Sequence, residues 1–521
     1  MNRAAYCSTG VVILACASLA AGATIYVDDD AVGANTGSSW TDAYVFLHDA
    51  LAAAANGDEI WVAEGIYKPD HGAGITPGDR EATFQLVNGV TLRGGYAGLG
   101  KPDPYARDVQ LYEAVLSGDL NGNDVGWDNY DANSYHVVTT DSVGGSTVFD
   151  GFTITSGYAS GVYPGDLDPH TKGAGMYSIY SYHIIRNCRF TKNKQRTEGG
   201  DSSNVGGGGM YNYGGGPTIL NCDFIENMSG EWGGAVYNRG SWGTQFVNCR
   251  FIGNISGYVS GVMLQVGDTS TFTNCIFADS DSKAIFMMNW PTCVLRNCII
   301  ANNHRGIAAV SGNLVLSNSI VWLNGSTVAI EEGCNAEISF CNMEGGKDAI
   351  YDPGGSLVWG DGNIDTDPLF VNPSGGDFHL LVGSPCIDAG DNAAVSSSTD
   401  LDGNPRIQGA AVDMGAYETT GSPKDVLGRT IEIVRGLAPG SLTNPNSGDA
   451  LVNKFEAAIA LIDVGLYQDA LNKLKHDVLP KTDGCALRGQ PDKDDWINTC
   501  EAQQKVYPLV LQAIELLEGP I

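Results

Sequence analysis

Asn187-Cys188-Arg189-Phe190-Thr191-Lys192-Asn193, Asn221-Cys222-Asp223-Phe224-Ile225-Glu226-Asn227 and Asn248-Cys249-Arg250-Phe251-Ile252-Gly253-Asn254 are three copies of one phrase. It continues as Asn274-Cys275-Ile276-Phe277, Asn297-Cys298-Ile299-Ile300 and Asn318-Ser319-Ile320-Val321, and closes on a worn copy, Phe340-Cys341-Asn342-Met343. By subtraction the leading Asn residues are 34, 27, 26, 23 and 21 apart. Such a period marks a solenoid, in which each repeat buries its apolar face against its neighbours. Helical repeats need a 3.6-residue pattern over ten or more positions, and these copies lack it. They alternate instead and are flanked by Gly, Asn and Ser, the pattern of a short strand and turn.

Strand period two points Cys188 and Phe190 one way and Arg189 the other. Copies stacked in register, about 4.8 Å apart, make an inner Cys column (Cys188, Cys222, Cys249, Cys275, Cys298, Cys341) beside an inner Phe/Ile/Val column. Outside, Arg189, Asp223 and Arg250 alternate in sign, which favours that register. Asn187, Asn221, Asn248, Asn274 and Asn297 form an amide ladder at one turn, and Asn193, Asn227, Asn254, Asn303 and Asn324 a second at the other end of the strand. These features resemble the right-handed parallel β-helix family. The resemblance implies an all-β solenoid.

In-register strands hold equivalent Cβ atoms about 4.8 Å apart, beyond the reach of a disulfide. Metal sites need ligands converging from several directions. The column is therefore expected to hold free buried thiols that act as small hydrophobes.

The chain has 521 residues, 69 Gly and 17% charged residues, and a formal net charge of −31. That composition suits a turn-dense β protein with two or three domains. Its acidity argues against nucleic acid or anionic lipid as partner and fits solubility, secretion or cation binding.

Residues 1–23 have the grammar of an export signal, with Arg3, an apolar core from Val11 to Ala20, and Ala21-Gly22-Ala23 before the cut. No later segment has the roughly 20 apolar residues of a membrane helix. The mature chain opens with a strand at Thr24 to Val27. An Ala/Leu-rich helix at Ala43 to Ala55 is placed to cap the first coil of a β-helix spanning 24–366. Tyr26-Val27-Asp28, Ser39-Trp40-Thr41-Asp42-Ala43, Gly57 to Ala63 and Gly65-Ile66-Tyr67-Lys68-Pro69 resemble the opening of secreted bacterial β-helix proteins.

Asp367-Pro368-Leu369-Phe370-Val371, Gly383 to Gly390, Asp400 to Arg406 and Asp413 to Glu418 together resemble the choice-of-anchor Q domain. This bounds a terminal region at 367–420 and implies a surface or extracellular setting, not a reaction. Residues 421–448 read as a linker, and 449–521 as a small all-α domain. Cys485 and Cys500, in an Asp/Gly-rich connection of an exported chain, are the expected disulfide.

Two loops set oxygen side chains at alternate positions around a Gly, as a hard cation requires: Asp119, Asn121, Asn123, Asp124, and Asp400, Asp402, Asn404. Ca²⁺ is the cofactor they suggest, although ordinary Asx-turns explain both equally well. Tyr158, Tyr163, Tyr177, Tyr180, Tyr182, Tyr211, Tyr213, Trp232 and Tyr237 cluster near the long loops 157–172 and 194–206, where they would stack on sugar rings or pack the turns.

Three functions compete. The first is an exported, non-catalytic β-helix at a bacterial cell surface or outside it, binding glycan or another surface. The second is a polysaccharide lyase or glycoside hydrolase, which needs a carboxylate pair or a base in a groove. The third is an adhesin stalk. The outward groups Arg189, Lys192, Lys194, Asp223, Glu226 and Arg250 sit in repeated lanes, which favours register over catalysis. His170, Lys172 and His183 are the unusual polar groups, and no motif specifies chemistry or oligomeric state.

Overall fold

The computed structural model describes residues 22–161, 168–196, 205–257, 261–267, 269–381, 383–419, 422–444 and 446–518. Residues 1–21 of the expected signal at 1–23, and Tyr163, lie outside these residues.

Each copy of the Asn-Cys phrase is one side of a coil. The chain passes from Ile184–Arg186 to Arg189–Thr191, then through Lys194–Gln195 to Met210–Tyr213, and returns at Thr218–Leu220 beside its starting point. Repetition builds, among the described residues, parallel sheets of twelve, ten and nine strands and a short four-stranded one. The molecule is a parallel β-helix carrying a small C-terminal helical region.

Register follows the repeated phrase. Arg189 pairs with Asp223, then Arg250, Ile276, Ile299 and Ile320 in turn. One position on, Phe190, Phe224, Phe251 and Phe277 stack inside with ring centroids 4.8, 5.0 and 4.5 Å apart. Cys188, Cys222, Cys249, Cys275, Cys298 and Cys341 are buried and free. Cys188 and Cys222 each donate to the carbonyl two residues back, at 3.2 Å, and the thiols of the column are not bridged.

The corner before each Cys requires left-handed backbone. Asn187, Asn221, Asn248, Asn274, Asn297 and Asn318 have φ between 50° and 55°, a region Asn tolerates because its amide bonds locally. Those amides chain from coil to coil: Asn221 Nδ2 donates to Asn187 Oδ1 (3.3 Å), Asn248 to Asn221 (3.1 Å) and Asn274 to Asn248 (2.9 Å). The second ladder is buried. There Asn227 Nδ2 reaches both Phe190 O (2.8 Å) and Asn254 Oδ1 (3.1 Å).

Helix α1 (Leu47–Ala53) is shorter than the expected 43–55 and lays Leu47, Ala50 and Leu51 into the core beside Ile25, Val27 and Ile60. At the other end, residues 367–419 do not extend the coil but fold back along its flank. Phe370, Phe378, Leu380, Met414 and Ala416 cover the outward Ile276, Ile299 and Ile320. Asn318 secures this cover by exchanging hydrogen bonds with the Asp391 backbone (2.7 and 3.0 Å).

The hairpin Phe370–Asn372/Asp377–Leu380 serves two cores. Phe370 faces the coil, and its neighbour Val371 joins the helical core with Val426, Leu451, Phe455 and Val506. The span expected as a linker holds α2 (Pro423–Arg435). Ser422 caps it by accepting from Lys424 N, Pro423 stands in its first turn, and Val426, Leu427, Ile431 and Val434 form a buried stripe. The linker reading stopped at the Gly-Ser-Pro signal, which here is the start of a helix. Helices α3 (Ser447–Asp463), α4 (Tyr467–Lys473), α5 (Gly484–Arg488) and α6 (Cys500–Glu518) complete the region. A Cys485–Cys500 disulfide ties α5 to the start of α6.

Candidate functional site

The outward lane of the ten-stranded sheet changes character along the molecule. Ile276, Ile299 and Ile320 are apolar because residues 367–419 cover them, whereas Thr153, Arg189, Asp223 and Arg250 precede that cover and stay open. There the lane forms the floor of a groove of about 770 Å³. Asn187, Asn221 and Asn248 edge the floor, Val109, Gln110 and Glu113 form one wall, and Leu401, Asp402 and Tyr417 another. Four coils contribute, so the groove follows the coil axis over about 14 Å, three strand spacings.

Its charges are largely matched. Arg250 grips Asp223 with Nε–Oδ1 and Nη2–Oδ2 bonds of 2.8 Å each, while the half-exposed Arg189 stays 4.0 Å from the same carboxylate. Thr153 donates to Glu113 (2.6 Å). Beneath the corner, burial opposes charge on Asp150, yet the bonds from Asn187 (2.8 Å) and Arg107 (2.9 Å), with Arg186 at 3.0 Å, hold its carboxyl below the usual range.

Behind the Asp402 wall, His379 lies between Asp377 (2.5 Å) and Asp402 (2.8 Å), its ring 3.7 Å from that of Tyr417. Burial opposes the imidazolium, but the two carboxylates raise the His379 pKa, and His379 in turn lowers that of Asp402 against its own burial. This is an ion-paired brace.

The residues singled out from sequence are spread over several places. Tyr177, Tyr211 and Tyr237 form a row on the nine-stranded sheet, with centroids 5.6 and 5.2 Å apart. Tyr211 and Tyr237 are only 2% and 1% exposed, because they pack with Val266 and Phe286, so a sugar does not reach them. Trp232 lies 6.0 Å from Phe286. Tyr213 sits at a corner, 5.5 Å from Tyr180, and Tyr158 on the four-stranded sheet beside Tyr130 and Lys194. These rings do not form one platform.

In the first Asp loop, Asp119 accepts the backbone N–H groups of Asn123 and Asp124 (both 3.1 Å), Asn133 donates to Asp124 (2.8 Å), and Asn121 and Asn123 are exposed. In the second, Asp400 accepts from the backbone of Asn404 and Glu418 (both 2.8 Å), while Asp402 turns to His379. Among the described residues no group of three or more His, Cys, Asp or Glu is placed to hold a metal ion. His170 stacks on Tyr135 at 4.3 Å. His183 is fully buried, with no hydrogen bond to either ring nitrogen.

Sequence reasoning placed Arg189, Asp223 and Arg250 on one outward lane but read that lane as register, so it found neither the groove nor its walls. The usable signal was the change from Arg189, Asp223 and Arg250 to Ile276, Ile299 and Ile320, which announces a covering segment.

Residues 233–358 match the family described as "Right handed beta helix region", in keeping with the parallel sheets of the coil. No curated protein matches the chain. Among solved structures, the chain is similar to pectate lyase Pel9A at 14% identity and a TM-score of 0.47, over 76% of this chain and 96% of that one. It is also similar to XylC in complex with xylose, at 9% identity and a TM-score of 0.36, over 76% of this chain and 99% of that one. Among the described residues no helix is long and apolar enough to cross a membrane.

Proposed function

We propose that this protein is an exported β-helix, held at a cell surface or released from it, that binds a glycan in the flank groove without cleaving it. The observation that carries the reading is the groove itself. A long, open channel is lined by amides, a hydroxyl and half-exposed guanidinium groups repeated along its axis. Side-chain amides and guanidinium groups at regular intervals suit a ligand that is itself a repeating chain of hydroxyl groups.

The non-catalytic part rests on the matched charges. General acid catalysis needs a carboxyl held protonated near neutrality, whereas Asp402 is held ionised by His379 and Asp223 is occupied by Arg250. Export rests on residues 1–23, and a surface setting on the resemblance of 367–420 to the choice-of-anchor Q domain. In the same reading α1 caps the first coil.

The test is a panel of plant and algal polysaccharides, scored by gel retardation, reducing-end release and absorbance of unsaturated uronates, with and without chelator. Retardation without product, weakened about tenfold by Arg189→Ala, is expected. Release of reducing ends or unsaturated products would replace this reading with the lyase or hydrolase one, and absence of any retardation would leave the stalk.

A further inference from the structure

A different edge of the coil, the corner leading from the nine-stranded to the twelve-stranded sheet, carries an unexplained run of rings. Tyr180, Tyr182, Tyr213, Trp242 and Trp290 are 52%, 49%, 37%, 77% and 71% exposed. They come from four coils, Tyr180 and Tyr182 sharing one, and gather at this one corner, spread over about 19 Å, four strand spacings.

Two of these rings stand on left-handed backbone. In register, the left-handed position of this corner is Tyr180 (φ 48°), Gly214 (67°), Gly240 (59°), Gly267 (60°) and Asn289 (60°). Gly and Asn are the residues that fit there. Ser142 (φ 55°), one coil earlier, and Tyr180 are the exceptions, and Trp290 follows Asn289 with φ 65°. A bulky residue in this region is strained, and strain of this kind collects at functional positions.

The neighbouring coils also make room for the rings. A Cβ on Gly214 would stand 2.6 Å from Tyr180 Cε1, and one on Gly333 would stand 3.3 Å from Trp290 Cη2. Tyr180 and Trp290 thus each rest against a glycine.

We propose that this corner is a second saccharide-binding site, in which the exposed rings stack on the sugar faces of an extended, uncharged polysaccharide lying along the coil axis. Aromatic rings offer the apolar faces that sugar rings stack on. The formal net charge of −31 disfavours a polyanionic chain or an anionic bilayer. The strip shares no residue with the flank groove, and either site can fail without the other.

The test titrates the full chain with cellohexaose, mannohexaose and hexagalacturonate, reading intrinsic fluorescence and heat together. A saturable change in tryptophan emission with a neutral hexaose, and none with hexagalacturonate, is expected. Trp242→Ala and Trp290→Asn should each weaken that binding at least tenfold. Asn suits the left-handed backbone, so Trp290→Asn should melt no lower than the parent. The proposal is overturned if neither neutral hexaose binds, if the two Trp variants bind like the parent, or if Trp290→Asn lowers the melting temperature by several degrees. The last result would make the ring a structural brace.

Discussion

Arg250 and Asp223 meet through two parallel hydrogen bonds of 2.8 Å across neighbouring coils, while Arg189 reaches the same carboxylate from the other side at 4.0 Å. Three coils therefore converge on one carboxylate in the groove floor. Both arginines are about half exposed, so water screens the pair. A double-mutant cycle of Arg250→Ala and Asp223→Ala should give a coupling of about 0.5–1 kcal/mol, shrinking in high salt. Denaturant midpoints at low and high ionic strength measure it. A coupling of several kcal/mol would mean that the floor is far drier than its exposure suggests.

The inner Asn ladder is worth more than the outer one. Asn227 supplies Oδ1 to Asn193 and Nδ2 to both Phe190 O and Asn254 Oδ1, and it is fully buried. Asn227→Ala leaves several buried groups unpaired and should cost about 3 kcal/mol. Asn221, on the exposed ladder, mainly holds left-handed backbone, so Asn221→Ala should cost about 1–2 kcal/mol and Asn221→Gly less. Urea unfolding of the three variants tests the order, and equal losses at Asn227 and Asn221 would contradict it.

This difference also shows what was legible. Each coil imposes the same corner, so Asn187-Cys188-Arg189-Phe190 and its copies reveal strand, inward face and register from spacing alone. The groove is not local in that sense. Glu113 and Tyr417 face one site from opposite ends of the chain, and nothing near either names the other. Ile276 marks the start of the covered lane, and nothing beside it names the segment that supplies the cover. Tyr211 and Tyr237 are expected near the long loops, stacking on sugar or packing the turns, and only tertiary packing against Phe286 decides between the two. Ser422-Pro423 read as a break, since a helix cap and a linker use the same residues.

His183 sets an acid limit on the fold. Burial alone lowers its pKa to about 4 from 6.5, with no partner to compensate. The unfolded chain therefore takes up this proton first. Its contribution is complete above about pH 6.5 and is lost as pH falls towards 4, by on the order of 3 kcal/mol. His183→Leu should remove that part of the slope. Urea midpoints of variant and parent at pH 7.5, 5.5 and 4.5 should diverge only at the acid values. Parallel curves would show that the ring is hydrated or already paired.

The Asp119 loop has two readings that metal addition separates. Asp119 already spends both carboxylate oxygens on the N–H groups of Asn123 and Asp124, and Asp400 does the same for Asn404 and Glu418. A cation would have to displace these bonds, whereas a preformed calcium loop turns its oxygens towards an open centre. Millimolar Ca²⁺ or excess EGTA should therefore move the melting temperature by less than about 1 °C, because only a ligand that prefers the folded state stabilises it. Asp119→Ala should lower the melting temperature equally with and without Ca²⁺, through loss of the turn. A Ca²⁺-dependent rise of several degrees that vanishes in Asp119→Ala would instead make this loop a metal site.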